Sequence, residues 1–347
     1  MNDRQERWWS RAAYRERRPK LLQRQAVLAA VRQVFLARDF VEVETAALQV
    51  SPGLEPHLQA FSTVLLRPDG SQLQRYLHTS PEFACKKLLA AGEQRLFTLA
   101  KVFRNGERAA THHPEFTLLE WYRAEPEMER LFEDCEALLR AVARAAGVTS
   151  LHWRGQEVDP FQAFERLSVE EAFQRYAAID LFASLKDPAA PDAEVLRNAA
   201  RRQNLRVADD DSWADLVTKI MLERIEPNLG SGRPTFLTDY PIALAALARP
   251  KAGAPQLAER FEIYVAGLEL ANAFGELTDP VEQRRRFQAD MDLKEALYGL
   301  RYPIDEDFLA ALSHMPPACG IALGIDRLVM LLTGAAHIEE VLWTPVD

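Results

Sequence analysis

The sequence has 347 residues, of which 48% are hydrophobic and 27% are charged, and its formal net charge is −9. A chain of this size can bury a large core in one domain or in two smaller ones, and no long stretch is so poor in apolar residues that disorder is expected. The acidic total gives no support to a broad nucleic-acid-binding surface.

The first part of the chain has the pattern of a basic arm followed by a helix. We expect residues 1–20 to form an N-terminal arm and residues 21–347 to form one domain. From Val27 to Phe35 the apolar residues recur at helical spacing, and "FVEVET" then alternates like a strand. The arm carries a basic cluster that we expect to be solvated, formed by Arg15, Arg17, Arg18 and Lys20.

The next segment predicts a helix, a strand and a second helix. In "HTSPEFACKKLLAAG", Ser80 is a capping residue, Pro81 suits the first turn and Gly92 suits the end of a helix. "RLFTLAKVFR" is strand-like, and residues 126–147 have the pattern of an amphipathic helix that ends at Gly147.

The second half of the chain predicts further strands. Residues 185–235 are rich in Pro, Asp and Gly and are interpreted as a separator. "PTFLTDYPIALAAL", "RFEIYVAGLELANAF" and "GIALGIDRLVMLLTG" then predict a strand, another strand and a strand–turn–helix. Strands in runs favour an α+β domain over a regular βαβ alternation. The sequence has no GxGxxG or GxxxxGK[ST] loop, so neither a Rossmann nor a P-loop nucleotide site is indicated.

The cysteines and the apolar segments bear on the compartment. Cys85, Cys135 and Cys319 are far apart and form no CxxC pair, which excludes a cysteine-rich zinc site and indicates a reducing compartment. The beginning of the sequence has no apolar run of signal-peptide length, and no later segment is long and apolar enough to span a bilayer. We therefore expect a cytoplasmic protein with no membrane partner.

One predicted strand places a carboxylate among apolar residues. Alternate residues of a strand share a face, so Phe116, Leu118, Glu120 and Tyr122 should line one surface. A buried carboxylate needs a partner, because an unpaired buried charge is costly. Two partners are open at this point, an internal arginine or a cationic ligand.

Two arginines stand where a nucleotide could bind. Arg104 lies at the end of a strand, with His112 and Phe116 on the returning chain, so the guanidinium could pair with phosphate while the ring stacks on a base. An ordinary surface hairpin explains the same residues. Arg327 lies in a first helical turn after Gly324, where a bound phosphate would offset its unfavourable position in the helix dipole; a surface arginine is the alternative.

A second strand adds an amide, an aromatic ring and a carboxylate to one face. Asn272, Phe274 and Glu276 alternate in "ELANAFGELTDP". Glu276 alone is explained by solvent exposure, but Glu120 and Glu276 together, beside aromatic rings, would suit a primary ammonium on an aliphatic stem.

Two further glutamates could hold a metal ion. Glu262 and Glu269 are seven residues apart, so strict alternation would send them to opposite faces, and a bulge at Gly267 is needed to bring them to one site. Such oxygen ligands suit Mg²⁺ that is held partly by substrate phosphates. An exposed edge strand with two glutamates is the alternative.

The motifs together resemble a known family. "FRNGERAATHHPEFTLLEWYR" resembles motif 2 of class II aminoacyl-tRNA synthetases, "GIALGIDRLVMLL" resembles motif 3, and "ELANAFGELTDP" and "HTSPEF" are similar to the lysine-type subgroup. The resemblance extends from the first helix to the end of the chain. It implies an α+β class II catalytic core, with a mostly antiparallel sheet flanked by helices.

Within that subgroup the sequence is most similar to the freestanding lysyl-tRNA synthetase paralogues that modify elongation factor P. The pattern begins near residue 21, so we expect no anticodon-binding domain and no tRNA partner. Ala322 stands where lysyl-tRNA synthetases usually carry glycine, which in these paralogues favours a β-amino acid. The resemblance implies ATP and Mg²⁺ as cofactors, (R)-β-lysine or lysine as substrate, elongation factor P as acceptor and a homodimer.

The resemblance also assigns roles to residues. Arg104 and Arg327 would be the catalytic arginines on the ATP phosphates, and Glu262 and Glu269 would hold magnesium. The ATP-binding residues would be Arg104, Asn105, Gly106, His112, His113, Phe116, Glu269, Leu270, Gly324 and Arg327. The amino-acid-binding residues would be Ser80, Pro81, Glu82, Glu120, Tyr122, Asn272, Phe274, Glu276 and Ala322.

Three positions depart from the family pattern. Ala46 replaces the proline of motif 1, Gly106 stands where motif 2 usually has glutamate, and His113 replaces an asparagine. Ala46 affects the expectation of a dimer, because motif 1 forms the dimer contact, and Gly106 and His113 affect the expected contacts to adenine. A lysyl-tRNA synthetase without its anticodon domain, a small-molecule amide ligase and a non-catalytic regulatory paralogue remain alternatives.

Overall fold

The computed structural model describes residues 7–346. The α-helices of this range are α1 (Arg11–Leu36), α2 (Glu82–Ala90), α3 (Met128–Ala146), α4 (Val169–Ala172), α5 (Ala193–Arg202), α6 (Trp213–Ile220), α7 (Pro280–Tyr298), α8 (Glu306–Leu312) and α9 (Ile325–Thr333). The strands are β1 (Val41–Glu42), β2 (Leu48–Gln49), β3 (Ser62–Leu66), β4 (Gln72–Leu77), β5 (Arg95–Phe103), β6 (Glu115–Arg123), β7 (Leu151–Trp153), β8 (Gln156–Val158), β9 (Glu165–Ser168), β10 (Thr235–Thr238), β11 (Pro250–Lys251), β12 (Ala254–Ala258), β13 (Arg260–Val265), β14 (Leu268–Gly275) and β15 (Cys319–Gly324).

An eight-stranded sheet organises the chain, in the order β1-β5-β6-β15-β14-β13-β10-β9. The outer pairs β1–β5 and β9–β10 are parallel, and the pairs between them are antiparallel. Helices flank this sheet, so the expected α+β architecture with a mostly antiparallel sheet is confirmed.

The two faces of the sheet have different environments because side chains alternate along each strand. On β6, Leu119 and Trp121 enter the main hydrophobic core together with residues of α1, α3 and α9. Glu120 lies on the opposite face, and the register pairs it with Ala322, which pairs in turn with Asn272. The face predicted from the alternation of β6 is therefore confirmed, and it carries the polar groups of Glu120 and Asn272 on either side of Ala322.

The β13–β14 hairpin brings its two glutamates to this same face. Ala266 and Gly267 form the connection with φ values of 52° and 75°, as a tight hairpin turn requires. Ile263 pairs with Ala271 while Tyr264 pairs with Glu269, so the strand β14 contains one extra residue at this point. The predicted bulge exists, but the prediction that Gly267 forms it was wrong, because Gly267 is part of the turn.

The N-terminal helix begins earlier than expected. Residues 1–6 of the predicted arm lie outside the described residues, and α1 begins at Arg11, where Ser10 accepts a hydrogen bond from the amide of Ala13 (3.1 Å). Arg17 donates to the carbonyl of Leu342 and Lys20 pairs with Glu340. The expectation of a wholly solvated basic cluster was wrong, since these two residues contact the last segment of the chain.

The predicted separator at 185–235 contains two α-helices. The helices α5 and α6 build a second hydrophobic core, in which Leu196 and Leu216 are fully buried, at the β9 edge of the sheet. Local composition did not reveal this, because the apolar faces of these helices are short. Within residues 7–346, no helix is long and apolar enough to cross a membrane.

Candidate active site

A cavity of about 390 Å³ opens over the polar face of the sheet. It brings together predicted residues that are spread over more than two hundred positions of the sequence. Those that line it are Ser80, Glu82, Arg104, His112, His113, Phe116, Glu120, Glu269, Leu270, Asn272, Phe274, Ala322, Gly324 and Arg327.

The other predicted site residues are not part of the lining of this cavity. Pro81 borders a small neighbouring hollow at the start of α2. The backbone N–H of Asn105 donates to the carbonyl of Gln59 (2.7 Å). Gly106 has a φ of 81°, a backbone conformation that favours glycine. The remaining three are buried beneath the cavity or at its border: Tyr122, Glu262 and Glu276.

Arg327 is held firmly at one end of the cavity. Its Nη1 donates to the carbonyl of Glu269 (2.7 Å), and its Nη2 donates to Nε2 of His112 (2.7 Å). Burial and the charge of Arg327 lower the pKa of His112, so this imidazole is neutral and can accept the hydrogen bond. The guanidinium therefore has a fixed orientation, which is what recognition of a phosphate requires.

Arg104 lies at the same end and is less constrained. Its Nε donates to the carbonyl of Thr79 over 3.4 Å, and its guanidinium lies over the ring of Phe116, 5.1 Å from the centroid. The predicted arginine and the predicted stacking ring are thus in contact with each other. An adenine on this face of Phe116 would have to replace the guanidinium there.

His113 is buried at the border of the cavity and has partners on both ring nitrogens. The side chain is 1% exposed, its Nδ1 donates to the carbonyl of Glu115 (2.6 Å), and its Nε2 accepts from the amide of Val346 (3.1 Å). Both ring nitrogens are in use. In this arrangement His113 anchors the last residues of the chain to the motif "THHPEF".

Glu120 lies in the floor of the cavity and is fully buried. Its two oxygens accept hydrogen bonds from Ser80 Oγ (2.6 Å) and from the hydroxyl of Tyr122 (2.8 Å). Burial raises the pKa of Glu120 to about 8, because these neutral donors offset only part of the desolvation. The hydrogen bonds described for this carboxylate come from two hydroxyl groups and not from an arginine, and the nearby charge of Lys86 acts to lower its pKa.

Lys86, which sequence reasoning missed, is the internal cation of this region. It is 1% exposed, and its ammonium lies between Glu82 and Glu276, 2.6 Å from Oε2 of Glu276. Burial acts to lower the pKa of Lys86, but Glu276 and Glu82 outweigh it, and the pKa lies above its ordinary value. The spacing of four residues between Glu82 and Lys86 on a helix was the available signal.

Glu262 is occupied by protein groups on both oxygens. Arg260 pairs with Oε1 (2.6 Å), and the hydroxyls of Tyr240 (2.5 Å) and Tyr264 (2.7 Å) donate to Oε2. Glu269 lines the cavity, and burial followed by the charge of Glu262 raises its pKa.

The two glutamates therefore fit a magnesium ion unequally. Within residues 7–346 no group of three or more His, Cys, Asp or Glu side chains is arranged to hold a metal ion. Glu269 offers carboxylate oxygens to the cavity, whereas Glu262 would first have to exchange a hydroxyl partner. A hard cation would relieve the repulsion between the two carboxylates.

The chain is similar to known proteins over nearly its whole length. Residues 3–347 match the family model for class II tRNA synthetases of the D, K and N type. A protein from Klebsiella pneumoniae subsp. pneumoniae is 41% identical over 334 residues, 95% of each chain, and one from Salmonella dublin is 40% identical over the same extent. Both relatives are named elongation factor P–(R)-β-lysine ligase.

Proposed function

We propose that this chain, which belongs to the class II tRNA synthetase family of the D, K and N type, is an ATP-dependent ligase. It activates (R)-β-lysine as an acyl-adenylate and transfers it to a lysine ε-amino group of translation elongation factor P. One observation carries the proposal: a single cavity has two arginines at one end and the buried carboxylate of Glu120 in its floor. This polarity suits a triphosphate and an ammonium group bound side by side.

The arginine end would bind ATP. Arg327, oriented by the neutral His112, would neutralise the phosphates together with Arg104, whose guanidinium is less constrained. Phe116 would take the adenine once the guanidinium of Arg104 leaves its ring for the phosphates. Backbone at positions that include Asn105, Gly106, Leu270 and Gly324 would approach the nucleotide, and His113 would act indirectly by holding Val346.

Magnesium would accompany the phosphates at Glu269. When bound, the ion would neutralise part of their negative charge. Glu262 would serve chiefly by fixing Arg260, whose guanidinium also lies 4.2 Å from the ring centroid of Tyr240.

The floor of the cavity would bind the amino acid. Glu120, supported by the hydroxyl of Tyr122, would accept the terminal ammonium, while Ser80 and Glu82 would address the second amino group. Glu276 would act from below through Lys86. The walls would come from Asn272 and Phe274, and the methyl group of Ala322, in register with both Glu120 and Asn272, would select the shape of the β-amino acid.

The reaction would proceed in two steps. A carboxylate oxygen of the amino acid attacks the α-phosphorus of ATP, forming the acyl-adenylate and releasing pyrophosphate. The carboxylate is ionised at neutral pH, so this step needs no general base, and the arginines act by alignment and charge neutralisation. The deprotonated ε-amino nitrogen of elongation factor P then attacks the acyl carbon, and AMP leaves.

Intact-mass spectrometry of elongation factor P tests the proposal. The purified chain with ATP, Mg²⁺ and (R)-β-lysine should add one β-lysyl group to elongation factor P, and Arg104→Ala should not. Elongation factor P without its acceptor lysine is the control. We expect the chain to act as a homodimer with elongation factor P, and not tRNA, as the acceptor. Charging of tRNA by the chain would therefore contradict the proposal.

A further inference from the structure

Glu55 is a carboxylate of the cavity to which the resemblance gives no role. It lies before β3, lines the cavity beside Ser80 and Glu82, and shares with them the small neighbouring hollow. Its Oε2 is buried and accepts no hydrogen bond from residues 7–346. By contrast, Glu82 pairs with Lys86, and Glu120 accepts two hydroxyl hydrogen bonds.

The position of Glu55 is fixed by its surroundings. The ammonium of Lys294, a fully buried residue of α7, donates to the carbonyls of Glu55 (3.0 Å), Pro56 (3.0 Å) and Leu58. The three hydrogen bonds of this ammonium therefore go to backbone carbonyls of the turn and not to the carboxylate of Glu55. A Cβ on Gly53 would lie 2.8 Å from Oε2 of Glu55, so a glycine at position 53 leaves the space in which the carboxylate lies.

Glu55 shares the lining of the cavity with both a carboxylate, Glu82, and a cation, Arg104. Burial, followed by the charge of Glu82, raises the pKa of Glu55, and Arg104 and Lys294 act in the opposite direction. By contrast, the charge of Lys86 is the one that acts to lower the pKa of Glu120. Asp290 of α7 shares another small hollow with Glu55, and burial and the charge of Glu55 raise the pKa of Asp290 to about 7.

We propose that Glu55 is a specificity-determining residue that binds, together with Glu82, the substrate ammonium group nearer the reacting carboxylate. This inference rests on the proposed function. A diamino acid has two ammonium groups, and Glu120 in the floor receives the terminal one. The second lies nearer the reacting carboxylate, and beside Ser80 and Glu82 of the same cavity Glu55 presents a buried oxygen without a donor. Binding there satisfies that oxygen and separates two carboxylates that repel each other.

The variant Glu55→Gln tests this with two ligands that differ by one amino group. (R)-β-Lysine has both ammonium groups, whereas 6-aminohexanoic acid has only the terminal one. We expect Glu55→Gln to raise KM for (R)-β-lysine in pyrophosphate exchange about 10- to 100-fold, the range for losing a hydrogen bond to a charged group. The inhibition constant of 6-aminohexanoic acid, which requires binding alone, should change less than about twofold.

Asp290→Asn is the matched control, because it removes a carboxylate that shares a small hollow with Glu55 and does not line the substrate cavity. It should leave both constants nearly unchanged, and thermal melting checks the fold of both variants. Equal changes in KM for (R)-β-lysine and in the inhibition constant of 6-aminohexanoic acid would overturn the inference and give Glu55 a general structural role. A change confined to KM for ATP would also overturn it, because Glu55 would then act by positioning Arg104. An inactive wild-type chain would instead refute the proposed function.

Discussion

Replacement of Lys86 by methionine removes the ammonium between Glu82 and Glu276 and keeps most of the buried stem. The side chains of Lys86 and Glu276 are each 1% exposed, so water does not screen the loss. Breaking one partner out of such a buried pair costs about 3–5 kcal/mol, because a charge is left uncompensated. We expect Lys86→Met to lower the free energy of unfolding by this amount in urea titrations at pH 8.

A double-mutant cycle and the pH dependence separate pairing from packing. Lys86→Met/Glu276→Gln should recover part of the loss, since the second change removes the orphaned charge. The raised pKa of Lys86 means that its stabilisation is complete below the ordinary value of 10.5 and is lost as pH rises through the higher folded-state value. Burial raises the pKa of its partner Glu276 to about 7, so the wild type keeps the ion pair at pH 8 and loses it towards pH 5. In the single variant the carboxylates lose their partner, so its deficit should shrink at pH 5. If the deficit of Lys86→Met is equal at pH 5 and pH 8, and the effects of the two substitutions are strictly additive, the ion pair contributes nothing beyond packing.

Three further predictions concern the cavity. Arg104→Ala should lower pyrophosphate exchange about 10²- to 10³-fold with an unchanged melting temperature, whereas Lys101→Ala on the preceding strand β5 should not. Near-normal exchange would remove Arg104 from the ATP site. Ala322→Gly should shift the ratio of kcat/KM from (R)-β-lysine towards α-lysine, by about tenfold for one methyl group, and an unchanged ratio would contradict its role in specificity. Glu120→Gln should be more stable than the wild type at pH 8 and as stable as the wild type near pH 4.5. The pKa of Glu120 is raised to about 8, so the wild type loses stability as pH rises between these two values. A difference in melting temperature between the two proteins that does not change with pH would contradict the raised pKa.

Local patterns predicted the elements that carry the site. Alternation on β6 placed Glu120 on the polar face, and the signals at Ser80 and Pro81 located the start of α2 within two residues. These features depend on neighbours in sequence, which composition and spacing describe well.

The partners of the buried charges could not be predicted in this way. The adjacent Lys86 and Lys87 look alike in sequence, and burial against Glu276, which lies 190 positions further on, distinguishes them. The role of His113 depends in the same way on Val346, and that of Glu262 on Tyr240. Such pairings depend on tertiary packing, because strands and helices distant in sequence bring the groups together.

Amino-acid-dependent ATP–pyrophosphate exchange measures directly which amino acid the cavity activates. We expect the purified chain to exchange pyrophosphate with (R)-β-lysine in strong preference to α-lysine, and not with aspartate, which would place a carboxylate against Glu120. Equal or better use of α-lysine, or no exchange with any of the three, would rule out the proposed activity.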